Sequence, residues 1–277
     1  MARIESSSGP VTVGPARRAE LGAVDAEFDS PQPPLAGAVC LSLAAPAYNE
    51  AEGIEAVVRQ WSATLAGSHR SFEIVICNDG SRDATGAILA SLSREVPQLR
   101  VDNQPKNRGY GSALNSAIAL CRGDFVATID SDGQFSVADA PAMLGPLLQG
   151  DCDAVLGYRV AKSDSWLRRR ADRLLNRLVR FLFGVRQRDT NCALKVVRRE
   201  LLQELLIEST GFAFPTEVSI KLHEHGARVV ESPVQHSDRA AGASKLHVWR
   251  TGWQVLRFLI YLRLRLSLYR ARIIQRF

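Results

Sequence analysis

The chain has 277 residues, of which 46% are hydrophobic and 23% are charged, and its formal net charge is +6. This composition is ordinary for a globular protein and excludes a fully disordered chain. The five cysteines are widely spaced and form no Cys-x-x-Cys pair, which argues against a disulfide scaffold and a zinc site of that type. We expect them to be buried free thiols in a reducing cytosol. No run reaches the ~20 mostly apolar residues of a membrane-spanning helix, so none is expected.

The positive charge is concentrated in two blocks of the chain. Residues 159–188 contain ten Lys or Arg and two Asp, and residues 239–277 contain nine Lys or Arg and no acidic residue. Because these blocks carry +8 and +9, the rest of the chain carries −11. Such a pattern predicts a surface that meets anions. The candidates are nucleotide phosphates, lipid phosphates, an anionic membrane surface and nucleic acid.

Residues 1–37 contain five of the twelve prolines and lack apolar periodicity, which predicts a disordered segment ahead of a domain that begins at residue 38. From there, short apolar runs alternate with helical patterns. The predicted strands are 39–45, 72–77, 99–103 and 125–129, and the helices between them are 50–65, 83–92 and 111–121. This alternation predicts an α/β fold, in which helices flank an open, mostly parallel sheet.

After residue 133 the alternation is looser. Helices are predicted over 137–148, 166–183, 200–207 and 216–225, strands over 154–157, 193–197 and 228–234, and a long or interrupted helix over 245–277. The domain at 38–240 is therefore followed by a C-terminal basic, amphipathic helical segment at 241–277. In this segment and in 166–183, arginines alternate with apolar residues, as in helices that lie in a membrane interface. A helix packed on the domain with a solvated basic face is the alternative.

Polar residues follow each of the first four predicted strands. They occupy the segments 46–50, 78–81, 106–111 and 130–134. Ligands of such sheets bind beyond the carboxyl ends of the strands, so we expect the four segments to converge on one edge. Any one of them alone is equally well explained as a turn or a helix cap, because Asn, Asp, Gly and Ser favour both.

The sharpest signal is the pair Asp130 and Asp132. Carboxylates two residues apart lie on one side of an extended segment, where they repel each other unless a cation lies between them. Mg²⁺ and Mn²⁺ take one or two protein carboxylates together with substrate phosphate oxygens, and Gln134 adds a neutral oxygen nearby. A capped turn before Val137 is the alternative. The chain has no P-loop and no complete dinucleotide-binding glycine motif, which argues against a kinase or a dehydrogenase.

The four segments, in this order and spacing, resemble family 2 glycosyltransferases of the Rossmann-like GT-A fold. Within that family they are most similar to dolichyl-phosphate mannose synthase-like, polyprenyl-phosphate glycosyltransferases. The resemblance covers about residues 40–245 and continues through 157–159, 168–170, 189–193 and 242–245. Ala193 stands where relatives often carry glycine, which affects the expected shape of the acceptor loop.

The resemblance implies roles for individual residues. The nucleotide-sugar site would comprise Pro46, Tyr48, Glu50, Asp79, Asp130, Ser244 and Lys245. Of these, Asp79 would hold base or ribose, and Ser244 and Lys245 would close over the diphosphate. The metal, Mg²⁺ or Mn²⁺, would be held by Asp130, Asp132 and Gln134. The catalytic set would comprise Asp132, Arg159, Arg169 and Asp189, with both arginines binding phosphate.

The function implied by the resemblance is metal-dependent, inverting transfer of a hexose from GDP-mannose or UDP-glucose to a polyprenyl or dolichyl phosphate. A metal and arginines stabilise the charge that develops on a departing diphosphate. An acceptor phosphate is already ionised and needs no general base, whereas a hydroxyl does. Relatives with hydroxyl acceptors often carry a Glu-Asp dipeptide, which this chain lacks. The alternative is a family 2 enzyme with a sugar or small-molecule hydroxyl acceptor, with Asp189 or Glu217 as base; each is equally well explained as a structural residue.

The remaining expectations concern location and partners. We expect a cytoplasmic protein that attaches peripherally to the cytoplasmic face of a membrane or docks to a separate membrane subunit. A basic nucleic-acid-binding protein is the competing class. Carboxylates at the strand ends would repel a phosphate backbone unless they were loaded with metal, so nucleic acid is not an expected partner.

Overall fold

The computed structural model describes residues 40–160, 166–237 and 248–277, and the side chains of 166–169 and 248–250 are not described. Seven strands are found in these ranges. They are β1 (Leu41–Ala47), β2 (Phe72–Asn78), β3 (Leu99–Asn103), β4 (Phe125–Thr128), β5 (Ala154–Arg159), β6 (Lys195–Arg198) and β7 (Val229–Val234). The helices in the same ranges are α1 (Ile54–Ala66), α2 (Thr85–Glu95), α3 (Tyr110–Leu120), α4 (Asp139–Ala142), α5 (Leu144–Leu148), α6 (Trp166–Phe183), α7 (Arg199–Glu204), α8 (Phe214–Glu224) and α9 (Val248–Arg270).

The strands form one sheet in the order β3-β2-β1-β4-β6-β5-β7. β1 pairs in parallel with β2 and β4, β2 with β3, and β5 with β7. Only β6 is antiparallel to its neighbours, β4 and β5. The predicted α/β fold with a mostly parallel sheet is therefore confirmed. β1 and β2 are buried along their whole length, which explains why most of their residues are apolar.

Helices cover both faces of the sheet. Leu43 and Ala45 of β1 belong to one apolar cluster and Ala44 to another, as expected for alternate residues of a strand. The first cluster includes Trp61 of α1 and residues of α2, and the second includes Phe214 of α8 and residues of α3. All of these strands except β6 run in the same direction, so their carboxyl ends lie at one edge of the sheet.

The helix predicted over 137–148 is interrupted. Two short helices, α4 and α5, meet at Met143 instead. Proline has no N–H for an i→i−4 hydrogen bond, and its ring clashes with the preceding turn. Pro141 and the Gly145-Pro146 pair therefore prevent one continuous helix. By contrast, the helix predicted over 166–183 is observed with the same ends.

A third apolar cluster joins α6 to α9. Val179 and Phe183 of α6 pack with Leu259, Leu262 and Leu266 of α9. No helix in the described part of the chain is both long enough and apolar enough to cross a bilayer. The domain boundaries predicted near residues 38 and 241 lie outside the described ranges, so that division stays a prediction.

Candidate active site

The loops that follow β1 and β2 are bonded to each other. Asn49, in the left-handed region at φ 53°, accepts a hydrogen bond on Oδ1 from the Arg82 N–H at 2.8 Å. Its own N–H donates to Ser81 Oγ at 3.0 Å, and the Glu50 N–H donates to Thr85 Oγ1 at 2.9 Å. Two of the four predicted segments therefore meet at the sheet edge.

Asp79 joins the loop after β3 to this edge. Its carboxylate is buried and accepts the N–H of Arg108 at 2.7 Å and the N–H of Gly109 at 2.9 Å. Close packing supports the same contact, because a Cβ on Gly80 would lie 2.4 Å from the carbonyl carbon of Lys106. Asp79 thus positions the third segment, and its predicted contact with base or ribose stays a prediction.

The loop after β4 carries the acidic pair. Ser131 Oγ donates to the carbonyl of Pro46 at 2.7 Å, which fixes this loop against the end of β1. Asp130 and Asp132 on either side of it are partly exposed at the rim. Asp132 Oδ1 accepts the N–H of Gln134 at 3.1 Å. The structure therefore brings all four predicted segments together, with the two carboxylates on one loop.

A tyrosine to which the sequence pattern gave no role contacts this pair. Tyr110, the first residue of α3, donates its hydroxyl to Asp130 Oδ1 at 2.7 Å. Burial and the Asp130 carboxylate raise the pKa of Tyr110 well above its usual value, so the phenol keeps its proton. In the sequence, the only indication that Tyr110 lies at the site was its position in the segment 106–111.

The donor set at the rim fits a hard divalent cation that substrate oxygens complete. In residues 40–160, 166–237 and 248–277 no three His, Cys, Asp or Glu side chains form a metal-binding group by themselves. Two carboxylates on one loop are what Mg²⁺ or Mn²⁺ uses when waters and phosphates supply the other ligands. Gln134, the third predicted ligand, donates its Nε2 to the Ser237 carbonyl at 3.1 Å, which fixes its amide group.

A short segment after β7 lies against the acidic loop. The Ser237 N–H donates to the Gln134 carbonyl at 2.8 Å, and the rings of Phe135 and His236 are 4.8 Å apart. Residues 238–247 come next and lie outside the described ranges. Ser244 and Lys245 are among them, so their predicted roles remain predictions.

Arg159, at the end of β5, is held by two carboxylates. Its Nε and one terminal nitrogen bind Asp189 at 2.8 and 3.1 Å, and the same terminal nitrogen binds Asp172 of α6 at 3.1 Å. Burial opposes the charge, but the hydrogen bonds to Asp189 prevail and raise the pKa of Arg159. Both oxygens of Asp189 are thus engaged. Arg169 lies in α6, and its side chain is not described.

Further contacts hold the turn that contains Asp189. Asn176 of α6 accepts the Thr190 N–H at 3.1 Å and donates to the Arg188 carbonyl at 2.9 Å. Lys195, buried on β6, donates to the Thr190 carbonyl at 3.3 Å, and burial lowers its pKa to about 8. Sequence reasoning missed Asp172 and Asn176. Their signal is that they are the only acidic and the only amide residue in an otherwise basic and apolar helix.

Glu217, the other residue considered as a base, is buried in α8. It accepts the N–H of Glu208 at 3.0 Å and of Ser209 at 2.7 Å, and it pairs with Lys221 at 3.0 Å. Burial raises its pKa above the usual value for glutamate. These contacts give Glu217 a structural role in holding the segment after α7.

The family model named glycosyl transferase family 2 matches residues 42–206. The chain belongs to glycosyl transferase family 2. The match is more than half of the chain and includes the four strand-end loops, Arg159 and Asp189. The prediction that the chain is a member of family 2 is therefore confirmed.

Curated members of the family include undecaprenyl-phosphate 4-deoxy-4-formamido-L-arabinose transferases. The protein from Sodalis glossinidius is 31% identical over 207 residues, which are 74% of this chain and 62% of that protein. The one from Enterobacter sp. is 29% identical over 212 residues, 76% of this chain and 63% of that protein. The chain thus spans about three fifths of the length of these curated relatives.

Solved structures with the same fold include glucosyl-3-phosphoglycerate synthase from Mycobacterium tuberculosis. Its complex with phosphoglyceric acid has a TM-score of 0.64 and 22% identity, and the likeness covers 80% of this chain and 79% of the synthase. The complex with Mn²⁺, uridine diphosphate and glucosyl-3-phosphoglycerate also has a TM-score of 0.64 and 22% identity. This likeness covers 81% of this chain and 80% of the synthase. The GT-A fold implied by the sequence resemblance is confirmed.

Proposed function

We propose that this family 2 member transfers a sugar from a nucleotide sugar to a polyprenyl phosphate, with inversion at the anomeric carbon and with Mg²⁺ or Mn²⁺ as cofactor. The observation that carries the proposal is the convergence of four loops on the rim where Asp130 and Asp132 lie. The printed names of the curated relatives support a polyprenyl phosphate as acceptor. Mannose and glucose are the sugars that we propose first, from GDP-mannose or UDP-glucose.

In this proposal Asp130 and Asp132 hold the cation, and Gln134 supports it. When bound, the cation would stabilise the negative charge that develops on the departing diphosphate. The nucleoside would lie against the end of β1, where Pro46, Tyr48 and Glu50 are positioned. We further propose that Asp79 faces the base or ribose and that Ser244 and Lys245 cover the diphosphate.

The hydrogen bonds of both candidate bases favour a phosphate acceptor. Asp189 is bound to Arg159 through both oxygens, and Glu217 is bound to two backbone N–H groups and Lys221. These partners occupy the oxygens of both carboxylates, so neither is placed to take a proton from an acceptor, and an ionised phosphate needs no base. We propose that Arg159 and Arg169 bind the acceptor phosphate. Arg159 would exchange its contact with Asp172 for a phosphate oxygen.

The test is a transfer assay with purified protein, Mn²⁺ or Mg²⁺ and undecaprenyl phosphate. The panel contains radiolabelled GDP-mannose, UDP-glucose and a nucleotide-linked 4-formamido-arabinose. We expect one donor to label organic-extractable lipid, and only when the cation is present. Label found only in water-soluble product would support the hydroxyl-acceptor alternative and would contradict the polyprenyl phosphate. A donor that binds the native state also raises its unfolding temperature, which identifies the nucleotide independently.

We also propose that α6 and α9 form the surface that attaches to the cytoplasmic face of a membrane, where anionic lipids are concentrated. Leu174 and Phe181 on α6 are 68% and 85% exposed, and Trp253 on α9 is 62% exposed. Exposed arginines flank them on α6, including Arg177 and Arg180. Apolar side chains among arginines suit an interfacial helix. Docking of the same surface to a membrane subunit is the other form of attachment.

Phe181→Asp is expected to reduce binding to anionic lipid vesicles at least about tenfold, because it removes an apolar side chain from the lipid and adds a repelled charge. Co-sedimentation with anionic and with neutral vesicles measures the change. Leu148→Asp is the matched control, since Leu148 is also exposed, at 45%, but belongs to neither helix. Equal losses in both variants, or no binding by the unmodified protein, would contradict direct attachment to lipid.

A further inference from the structure

The Tyr110 hydroxyl links two loops at the rim. Tyr110 begins α3, after the loop that follows β3, whereas Asp130 follows β4. The hydroxyl donates to Asp130 Oδ1 at 2.7 Å. An ionised carboxylate offers about four lone pairs on its two oxygens. The Tyr110 hydroxyl occupies one of these lone pairs and restrains the orientation of the carboxylate.

The Tyr110 ring packs against two other aromatic rings. Phe212 stacks on it with ring centroids 5.3 Å apart and an angle of 24° between the planes. Phe214 meets it edge-on at 6.5 Å. Stacked and edge-on aromatic pairs of this kind stabilise a ring beyond the effect of its buried area. The direction of the hydroxyl is thus set by packing and does not depend on the hydrogen bond alone.

The backbone around Tyr110 is equally constrained. Gly109 has φ 101°, and its N–H is bound to Asp79 at 2.9 Å. On the other side, the Gly111 N–H donates to the Thr210 carbonyl at 3.0 Å. A Cβ on Gly111 would lie 2.0 Å from the carbonyl oxygen of Ser209, so only glycine permits this approach. Ring and backbone together hold the hydroxyl at a fixed point above Asp130.

We propose that Tyr110 is a positioning residue, which holds the Asp130 carboxylate in the orientation that binds the divalent cation. The inference rests on the proposed function, since Asp130 is a metal ligand only there. Two neighbouring carboxylates repel each other before the cation arrives. A donor fixed by packing keeps Asp130 from rotating away from Asp132. Removing such an outer partner typically lowers metal affinity about 10- to 100-fold.

The test is Tyr110→Phe, which removes the hydroxyl and keeps the ring that stacks on Phe212. Titration of the full chain with Mn²⁺ alone, followed by electron paramagnetic resonance, measures affinity without turnover. We expect affinity to fall at least about tenfold. At saturating Mn²⁺, kcat is expected to stay within about threefold of the unmodified protein, because the cation then holds Asp130 itself. Thermal unfolding checks that the fold is unchanged.

The matched control is Tyr261→Phe. Tyr261 also donates its hydroxyl to a carboxylate, Glu208 at 3.1 Å, but lies on α9. Its Mn²⁺ affinity should equal that of the unmodified protein. If Asp132→Asn abolishes Mn²⁺ binding and Tyr110→Phe binds normally, Tyr110 has no positioning role and the metal site stands. If Asp132→Asn binds Mn²⁺ normally, the metal site itself is wrong, and the positioning role falls with it.

Discussion

Asp132→Asn is expected to lower metal-dependent sugar transfer by about a thousandfold while leaving the fold intact. The amide keeps an oxygen that can accept the Gln134 N–H, so the loop retains its hydrogen bond. What is lost is one of the two negative charges that would hold the cation. A thousandfold loss corresponds to about 4 kcal/mol of transition-state stabilisation, the size expected for a group that neutralises a departing diphosphate. Initial rates across a Mn²⁺ series measure it.

Asp124→Asn provides the control for that experiment. Asp124 is exposed and immediately precedes β4, at the opposite end of the strand from the acidic pair. Removing its charge should change neither the rate nor the Mn²⁺ dependence. Full activity of Asp132→Asn in saturating metal would show that the acidic pair does not hold a catalytic cation.

Glu217→Gln is expected to destabilise the protein by about 3 kcal/mol, because it leaves the buried Lys221 ammonium without its nearest counter-charge. Both side chains are fully buried and 3.0 Å apart. The Lys221 charge remains partly compensated, since the Glu208 carboxylate lies 3.6 Å away and the Leu206 carbonyl accepts a hydrogen bond from the ammonium. The value is therefore at the lower end of what breaking a buried pair costs. Urea unfolding at neutral pH gives the free energy of unfolding.

Two further variants separate the structural role of Glu217 from a catalytic one. Combining Glu217→Gln with Lys221→Met should recover part of the loss, because Lys221 is then no longer an unpaired buried charge, while one of the two backbone N–H groups bound by Glu217 still lacks its acceptor. Glu55→Gln breaks the pair with Arg59, which has the same i,i+4 spacing but is half exposed, and should have a much smaller effect. Folded Glu217→Gln is expected to retain most of its kcat. Normal stability with a large loss of kcat would instead identify Glu217 as a base.

The fold could be predicted from the sequence wherever local pattern decides it. The run 72–77 is apolar except for Glu73, and a buried parallel strand was expected and found there. The helical spacing of apolar residues among the arginines from Trp166 to Phe183 predicted α6 with the same ends. The strand order could not be predicted, because pairing of β6 between β4 and β5 depends on contacts between distant segments. The break at Met143 was missed although Pro141 and Pro146 were visible signals.

In the candidate site, too, local features could be predicted from the sequence, whereas contacts between distant residues could not. Asp130 and Asp132 were found because they are neighbours that follow one strand. The hydroxyl of Tyr110 and the carboxylate of Asp130 are 20 residues apart in the chain, and Arg159 and Asp189 are 30 apart. Nothing in a linear sequence tells which of many arginines a given aspartate will meet. These pairings arise only when strand ends are brought to one edge.

The hydrogen bonds between the rim loops have a consequence for how the substrate preference of such a site can evolve. Hydrogen bonds join Asn49 to Arg82, Asp79 to Arg108, and Ser131 to Pro46. Each loop therefore helps to hold a neighbouring loop in place. An insertion in one loop would also displace the loop that is bonded to it, whereas replacement of an outward-facing side chain would leave both loops in place. New sugar preferences should therefore evolve through point replacements at constant loop length. These loops are bonded to one another before any substrate binds, so we expect little entropy to be lost in ordering them.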